Sequence, residues 1–258
     1  MFGVLLLLAA SPAVHSIYEP LPGPDSASTL WVLEHLKRWT APANPPSKDG
    51  NPLALECLTT PGHPKTIGVR QEMVIAASLQ EVAGVADDFA HYADLFPDLV
   101  DVHVVHGSED GNRFVVLWEQ HVPIFFIPNV RYEMTYLVDR SPGRVSYRYK
   151  LKEKGTVEAT DGWVVLEALA PGRTRYTEID FIEANYGPLS SSTAWELTLG
   201  GIYRSDVALK LKAEQPSWSY EKLRAEADRQ LELHPIDCFE HGTRAHRELA
   251  NRQRQLRT

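Results

Sequence analysis

Cysteine is scarce, with only Cys57 and Cys238 in 258 residues. Neither belongs to a CxxC pair or stands beside a pair of His, so the spacing that builds structural zinc sites is missing. Positive charge is in deficit, with 26 Lys and Arg against 34 Asp and Glu and a net charge of -8. That balance argues against general nucleic-acid binding, which shows a basic patch or stripe. There is no GxSxG, no phosphate-binding GxxxxGK[ST], no HExxH and no dinucleotide fingerprint. No cofactor or metal is therefore expected. Apolar runs long enough to span a membrane are missing too; the one at the N-terminus is short.

What is present begins with that run. Phe2 to Ala10 is almost wholly apolar and is followed by Ser-Pro-Ala-Val-His-Ser16. Residues 1–16 read as a secretory signal, although no Lys or Arg precedes the apolar segment. The other reading is an internal start or a buried N-terminal strand. The signal reading places the protein outside the cytoplasm, periplasmic or secreted. In such a compartment Cys57 and Cys238 would bridge two chain extensions, and in the chain-entropy view so long a loop contributes about 4–5 kcal/mol. Two buried thiols are the alternative.

A hydrophobic fraction of 43% is enough for a full core. Residues 17–64 read as a short helix, Ser26 to Thr40, followed by an irregular arm rich in Pro, Asn, Gly and Ser. Folded sequence is expected from Lys65, with a strand at Ile67 to Ala76. Ser78-Leu-Gln-Glu81 has the form of a capping box. Val82, Val85, Ala86, Phe89 and Ala90 then make one apolar stripe on a helix of about three turns. Strands follow at Val100 to Val105 and Arg113 to His121, separated by the turn signal Gly107 to Gly111. Val122 to Pro128 is an apolar stretch bracketed by prolines, either a loop that gates a pocket or meets a membrane, or a bulged strand end.

The next strands alternate. Tyr132, Met134, Tyr136 and Val138 oppose Arg131, Glu133, Thr135 and Asp139; Val145, Tyr147, Tyr149 and Leu151 oppose Ser146, Arg148, Lys150 and Lys152. The pattern predicts an antiparallel sheet with one covered and one wet face. The covered face is rich in Tyr, whose hydroxyls need partners when buried. Strands at Thr156 to Leu169 and Thr174 to Tyr186 complete the series. On the same alternation Glu178 and Asp180 point outward, and Asp161 is a candidate for an inner cavity. Asp101 and His103 share a strand face, an arrangement read as exposed. Gly187-Pro188 then opens a long helix to Glu214, where Gly200-Gly201 calls for a bend or a close approach. Residues 216–258 form a helical extension: Ser217 to Leu233 with Ser219 as N-cap, then a basic stretch from Thr243 to Arg257.

The segments Ile75 to Val82, Phe89 to Pro97 and Gly162-Trp163-Val-Val-Leu166 resemble the START-like superfamily, which also holds polyketide cyclases and dehydrases. The strand start at Arg173 to Tyr176 and the opening at Gly187-Pro188 fit as well, and the resemblance covers residues 65–215. It implies an α+β helix-grip fold, a curved antiparallel sheet wrapped around a long C-terminal helix, here with an N-terminal arm and extra C-terminal helices. It further implies an enclosed cavity for an apolar small molecule: a lipid, sterol or hopanoid, quinone or polyketide. The residues expected to line it are Phe114, Trp118, Tyr132, Met134, Tyr136, Tyr147, Tyr149 and Trp163 from the sheet, and Trp195, Leu199 and Tyr203 from the helix. The expected function is a non-enzymatic carrier with transient membrane contact; a cyclase or aromatase acting in the same cavity is the alternative. The expected partner is the hydrophobic ligand, with no nucleic acid. Oligomeric state is left open.

Overall fold

Among the described residues eight strands form one continuous antiparallel sheet in the order β1-β2-β8-β7-β6-β5-β4-β3. The computed structural model describes residues 50–58, 66–109, 111–122, 128–184 and 191–236. The strands are β1 (Ala54–Leu58), β2 (Thr66–Ile75), β3 (Leu99–Gly107), β4 (Arg113–Gln120), β5 (Val130–Ser141), β6 (Arg144–Leu151), β7 (Val157–Ala170) and β8 (Arg173–Ala184). Only one pairing departs from a simple meander. β2 joins β8, closing the chain order back on itself so that the sheet curls.

The helices are α1 (Leu79–Asp87), a 3-10 turn (Phe89–His91), α2 (Tyr92–Leu95), α3 (Ser191–Glu214) and α4 (Tyr220–Leu233). Ser78 caps α1 as its sequence predicts. Its hydroxyl accepts from the Glu81 amide at 3.3 Å, and the Glu81 carboxylate accepts from the Ser78 amide at 2.7 Å. The expected single helix is split, however. Asp88 leaves helical geometry at φ -85° and ψ 57°, and the chain restarts as the 3-10 turn and α2. The break lets Phe89, Tyr92 and Phe96 turn into the core together.

Residues 17–64, read as arm and linker, contain β1, which pairs with β2 from Ala54↔Glu72 to Leu58↔Gly68. Cys57 lies in that strand; its expected partner Cys238 lies outside the described residues. So do the signal segment, the 26–40 helix, most of the 122–128 stretch, the Gly187-Pro188 opening and the basic tail. α4 begins on the predicted cap, Ser219, whose hydroxyl accepts from the Lys222 amide. It buries Leu223 and Ala227 against the main core.

α3 crosses the concave face of the sheet. Lys210 ties it to β2 through the Val74 carbonyl at 2.6 Å. Arg204 ties it to Asp98, before β3, at 2.5 Å, and to Asp228 of α4 at 3.7 Å. Gly201 explains the first contact: a Cβ there would lie 2.9 Å from Asp98 Oδ2. Gly201 thus serves close approach, and the helix runs on through the double glycine. Among the described residues no helix is long and apolar enough to cross a membrane.

The expectation of one covered and one wet face is overturned at the centre of the sheet. Ser146, Arg148 and Lys150 on β6 are all buried. They share the convex face with Trp163 and Phe181, both 1% exposed. Gly68 makes room for Phe181, whose ring would lie 2.5 Å from a Cβ at that position.

Candidate functional site

Between the concave face and α3 lies a cavity of about 170 Å³. Strand geometry selects its lining, because side chains two apart share a face. Trp118 enters from β4, Tyr132, Met134 and Tyr136 from β5, Tyr147 and Tyr149 from β6, Thr160 and Val164 from β7, and Tyr176, Glu178, Asp180 and Ile182 from β8. The helical wall repeats at three and four residues: Thr198, Gly201, Ile202, Ser205, Asp206 and Leu209. Ala86, Phe89, Tyr92 and Phe96 line the cavity from the α1–α2 segment, and Asp98, Leu99 and Gln120 from the start of β3 and the end of β4.

One part of the cavity is aromatic. Phe89 meets Phe114 and Tyr136 edge-on at ring-centroid distances of 5.2 and 5.4 Å, and Phe114 stacks on Tyr136 at 5.3 Å. Tyr92 sits edge-on to Trp118 at 5.8 Å, and its hydroxyl donates to the Ala86 carbonyl at 2.5 Å. Tyr147 donates to Asp87 Oδ1 at 2.9 Å, where Arg140 also binds the carboxylate at 2.8 Å. That cluster locks the end of α1 onto β5 and β6.

The other part is acidic. Glu178, Asp180 and Asp206 all line the cavity and are 8%, 6% and 5% exposed. Tyr149 donates to Glu178 Oε1 at 2.8 Å, and Gln71 to Oε2 at 3.2 Å. The Tyr176 hydroxyl stands between Glu178 Oε2 at 3.0 Å and Asp206 Oδ1 at 2.9 Å. Tyr149 reaches this position because it lies across Gly162, where a Cβ would come within 2.0 Å of its ring.

Burial raises the pKa of all three carboxyls. For Asp180 and Asp206 the neighbouring Glu178 charge adds to the rise, and both are pushed well above the ordinary Asp value. Hydrogen bonds from Asp206, Tyr149, Tyr176 and Gln71 oppose the rise at Glu178, making it the group best able to carry charge. Desolvation likewise holds the phenols of Tyr149 and Tyr176 neutral. Among the described residues no group of His, Cys, Asp and Glu is arranged to hold a metal ion.

Solved structures share this architecture. Human STARD10 matches with a TM-score of 0.55 at 8% identity, over 82% of this chain and 84% of that one. Human StAR-related lipid transfer protein 5 matches with a TM-score of 0.55 at 14% identity, over 74% of this chain and 95% of that one. The human StarD13 (DLC2) lipid transfer and protein localization domain matches with a TM-score of 0.51 at 14% identity, over 75% and 98%. The chain has the START-like helix-grip fold. No protein-family model matches the sequence, and no curated protein is similar to it in sequence.

Within the helix-grip frame, six of the expected lining residues come together: Trp118, Tyr132, Met134, Tyr136, Tyr147 and Tyr149. Phe114 stands behind Tyr136 as packing, outside the lining. Trp163 belongs to the convex face, because it pairs with Arg148 and Ile179 in register while Gly162 pairs with the inward Tyr149. The Arg148 guanidinium carbon lies 5.1 Å from the centre of its ring. Trp195 and Leu199 pack on Ile67 and Val69 of β2. Tyr203 is 1% exposed and donates to Asn51 Oδ1 at 2.9 Å, on the flank of α3 beside the N-terminal segment.

Two acidic expectations reverse. Glu178 and Asp180 point inward, and Ile179 and Phe181, taken as the inward pair, face the convex side. Asp161 is buried on that convex side too, in register with Lys150 and Phe181. Asp206, the third acid, was not singled out from sequence. Its signal was positional: it stands four residues after Ile202 and three before Leu209, a charge inside an apolar helical stripe. The Asp101–His103 pair is exposed, with 3.1 Å between Oδ2 and Nδ1.

Proposed function

We propose that this protein binds a hydrophobic small molecule in the helix-grip cavity and carries it without chemical change. The observation that carries this reading is the aromatic pocket between the concave sheet and α3, lined by Trp118, Tyr132, Met134, Tyr136 and Tyr147. Covering one such side chain with ligand contributes about 1.5–3 kcal/mol. Several together support binding at about micromolar strength or better. The likeness to human StAR-related lipid transfer protein 5 supports the same class of ligand.

Residues 1–16 and the two cysteines support work outside the cytoplasm, with exchange of ligand at membrane surfaces. N-terminal sequencing of the exported protein would check the first point. An intact mass two protons below that of the reduced form would check a Cys57–Cys238 bridge.

Native mass spectrometry of the purified protein, followed by organic extraction, tests the main proposal. A co-purifying apolar molecule near one per chain, lost in a folded Trp118→Glu variant, is the expected result. A protein that is empty and binds no apolar probe would overturn the carrier.

A further inference from the structure

The aromatic lining accounts for an apolar ligand but leaves the acidic end unexplained. An apolar molecule seated beside Glu178, Asp180 and Asp206 would leave those carboxyls desolvated with nothing to gain, and burying polar groups without partners is costly. The described lining holds four acids, Asp98, Glu178, Asp180 and Asp206, and no Lys, Arg or His. Asp98 is already matched by Arg204. No cation stands among the described groups that act on the remaining three.

Their acceptor capacity is unevenly used. Glu178 is served on both oxygens by Tyr149, Tyr176 and Gln71. Asp206 Oδ1 is reached by Tyr176. Asp206 also hydrogen-bonds Glu178, and Asp180 takes hydrogen bonds from Tyr149 and the Phe181 backbone. Asp180 Oδ1 and Asp206 Oδ2, by contrast, accept no hydrogen bond, although both side chains are more than nine-tenths buried and line the cavity. Two unserved acceptors at the acidic end of a chamber lined elsewhere largely by aromatic and aliphatic side chains define the complementary head: compact, rich in N–H donors and positive. Among the described residues no group of His, Cys, Asp and Glu is arranged to hold a metal, so an organic cation fits better than a metal ion.

We propose that the ligand is an amphiphilic amine, its protonated amino group held against Asp180 and Asp206 and its apolar body along Tyr132, Met134 and Tyr136. This rests on the carrier reading and narrows its ligand class. An aliphatic ammonium group keeps its proton well above neutral pH, as the Lys side chain does. On binding, it supplies the donors that Asp180 Oδ1 and Asp206 Oδ2 lack. Its charge also favours the ionised form of whichever carboxyl still holds a proton, and that proton leaves to solvent. The groups acting on the acids from the packed elements are Gln71 on β2, Tyr149 on β6, Asp161 on β7, Tyr176 on β8 and, more distantly, Tyr136 on β5 and Tyr92 on α2. None of them supplies a positive charge.

The test is a displacement series on the full chain, loaded with an apolar fluorescent probe. Decylamine, decanol and decanoate share one tail and differ in head. Decylamine is expected to bind at least tenfold tighter than decanol, with decanoate weakest, and the preference is expected to weaken as pH is lowered. Calorimetry in two buffers of different ionisation enthalpy should show proton release with the amine and none with the alcohol. Asp180→Asn and, separately, Asp206→Asn should bring the amine-to-alcohol ratio towards one; either variant suffices should the other fail to fold. If the probe binds and decylamine is no tighter than decanol, the amine head is overturned and the carrier stands. A protein that binds neither the probe nor any of the three ligands overturns both.

Discussion

At the scale of single residues, the acids and the glycine beside them make the sharpest predictions. An unfolded Asp ionises near pH 3.9. Asp180 and Asp206 hold their protons to higher pH when folded, because burial and the Glu178 charge disfavour ionisation. Above about pH 4 the folded state therefore binds more protons than the unfolded chain, and stability falls as pH rises from there through the raised folded values. Asp206→Asn should flatten that fall and raise stability at neutral pH, read as a higher urea midpoint across a pH 4–8 series. Gly162→Ala should do the opposite. Its Cβ would overlap the Tyr149 ring, and displacing that ring removes a donor from Glu178. A cost of about 1–3 kcal/mol is expected for such overpacking, measured by urea denaturation.

At the scale of elements, α3 contains its own control. Gly200 and Gly201 are neighbours, and either would gain about 1 kcal/mol of helix propensity as Ala. A Cβ at Gly200 meets only Leu231 Cδ2, at an ordinary 3.6 Å. A Cβ at Gly201 meets Asp98 Oδ2 at 2.9 Å, an oxygen held in place by Arg204. Thermal melts should therefore rise for Gly200→Ala and stay level or drop for Gly201→Ala. The capping box gives a second element-scale prediction: Ser78→Ala should cost about 1 kcal/mol in chemical denaturation. Both glycines and the cap are legible in sequence. Which glycine faces Asp98 is not, because that depends on the rotation of α3 over the sheet.

At the scale of the whole molecule, the cavity exists because a curled sheet and one long helix cannot fill the space between them with the side chains provided. Val164 lines that space from β7, opposite Tyr147 and Glu178 in register. Val164→Phe should occupy ligand volume from within, weakening apolar-probe binding at least tenfold while the far-ultraviolet circular dichroism stays unchanged. A variant that binds the probe as tightly as the native chain would place the ligand elsewhere.

Local chemistry in the sequence determined the elements. The capping box, the Tyr-rich alternation of β5 and β6, the turns and the Ser219 cap act over a few residues, and they appear where the sequence puts them. Their order carries the helix-grip architecture with them. In β5 and β6 the Tyr-rich face read as covered does line the cavity, but in β7 and β8 which face is inside was decided by tertiary structure alone. Alternation tells in from out only when the two faces differ in polarity, and in β7 and β8 both faces are covered and carry apolar residues. Trp163 and Phe181 therefore pack on the convex side, while Glu178 and Asp180 turn to the cavity. The same reason hid Asp206, whose place is set by the rotation of α3 and by a Tyr176 hydroxyl thirty residues earlier in the chain.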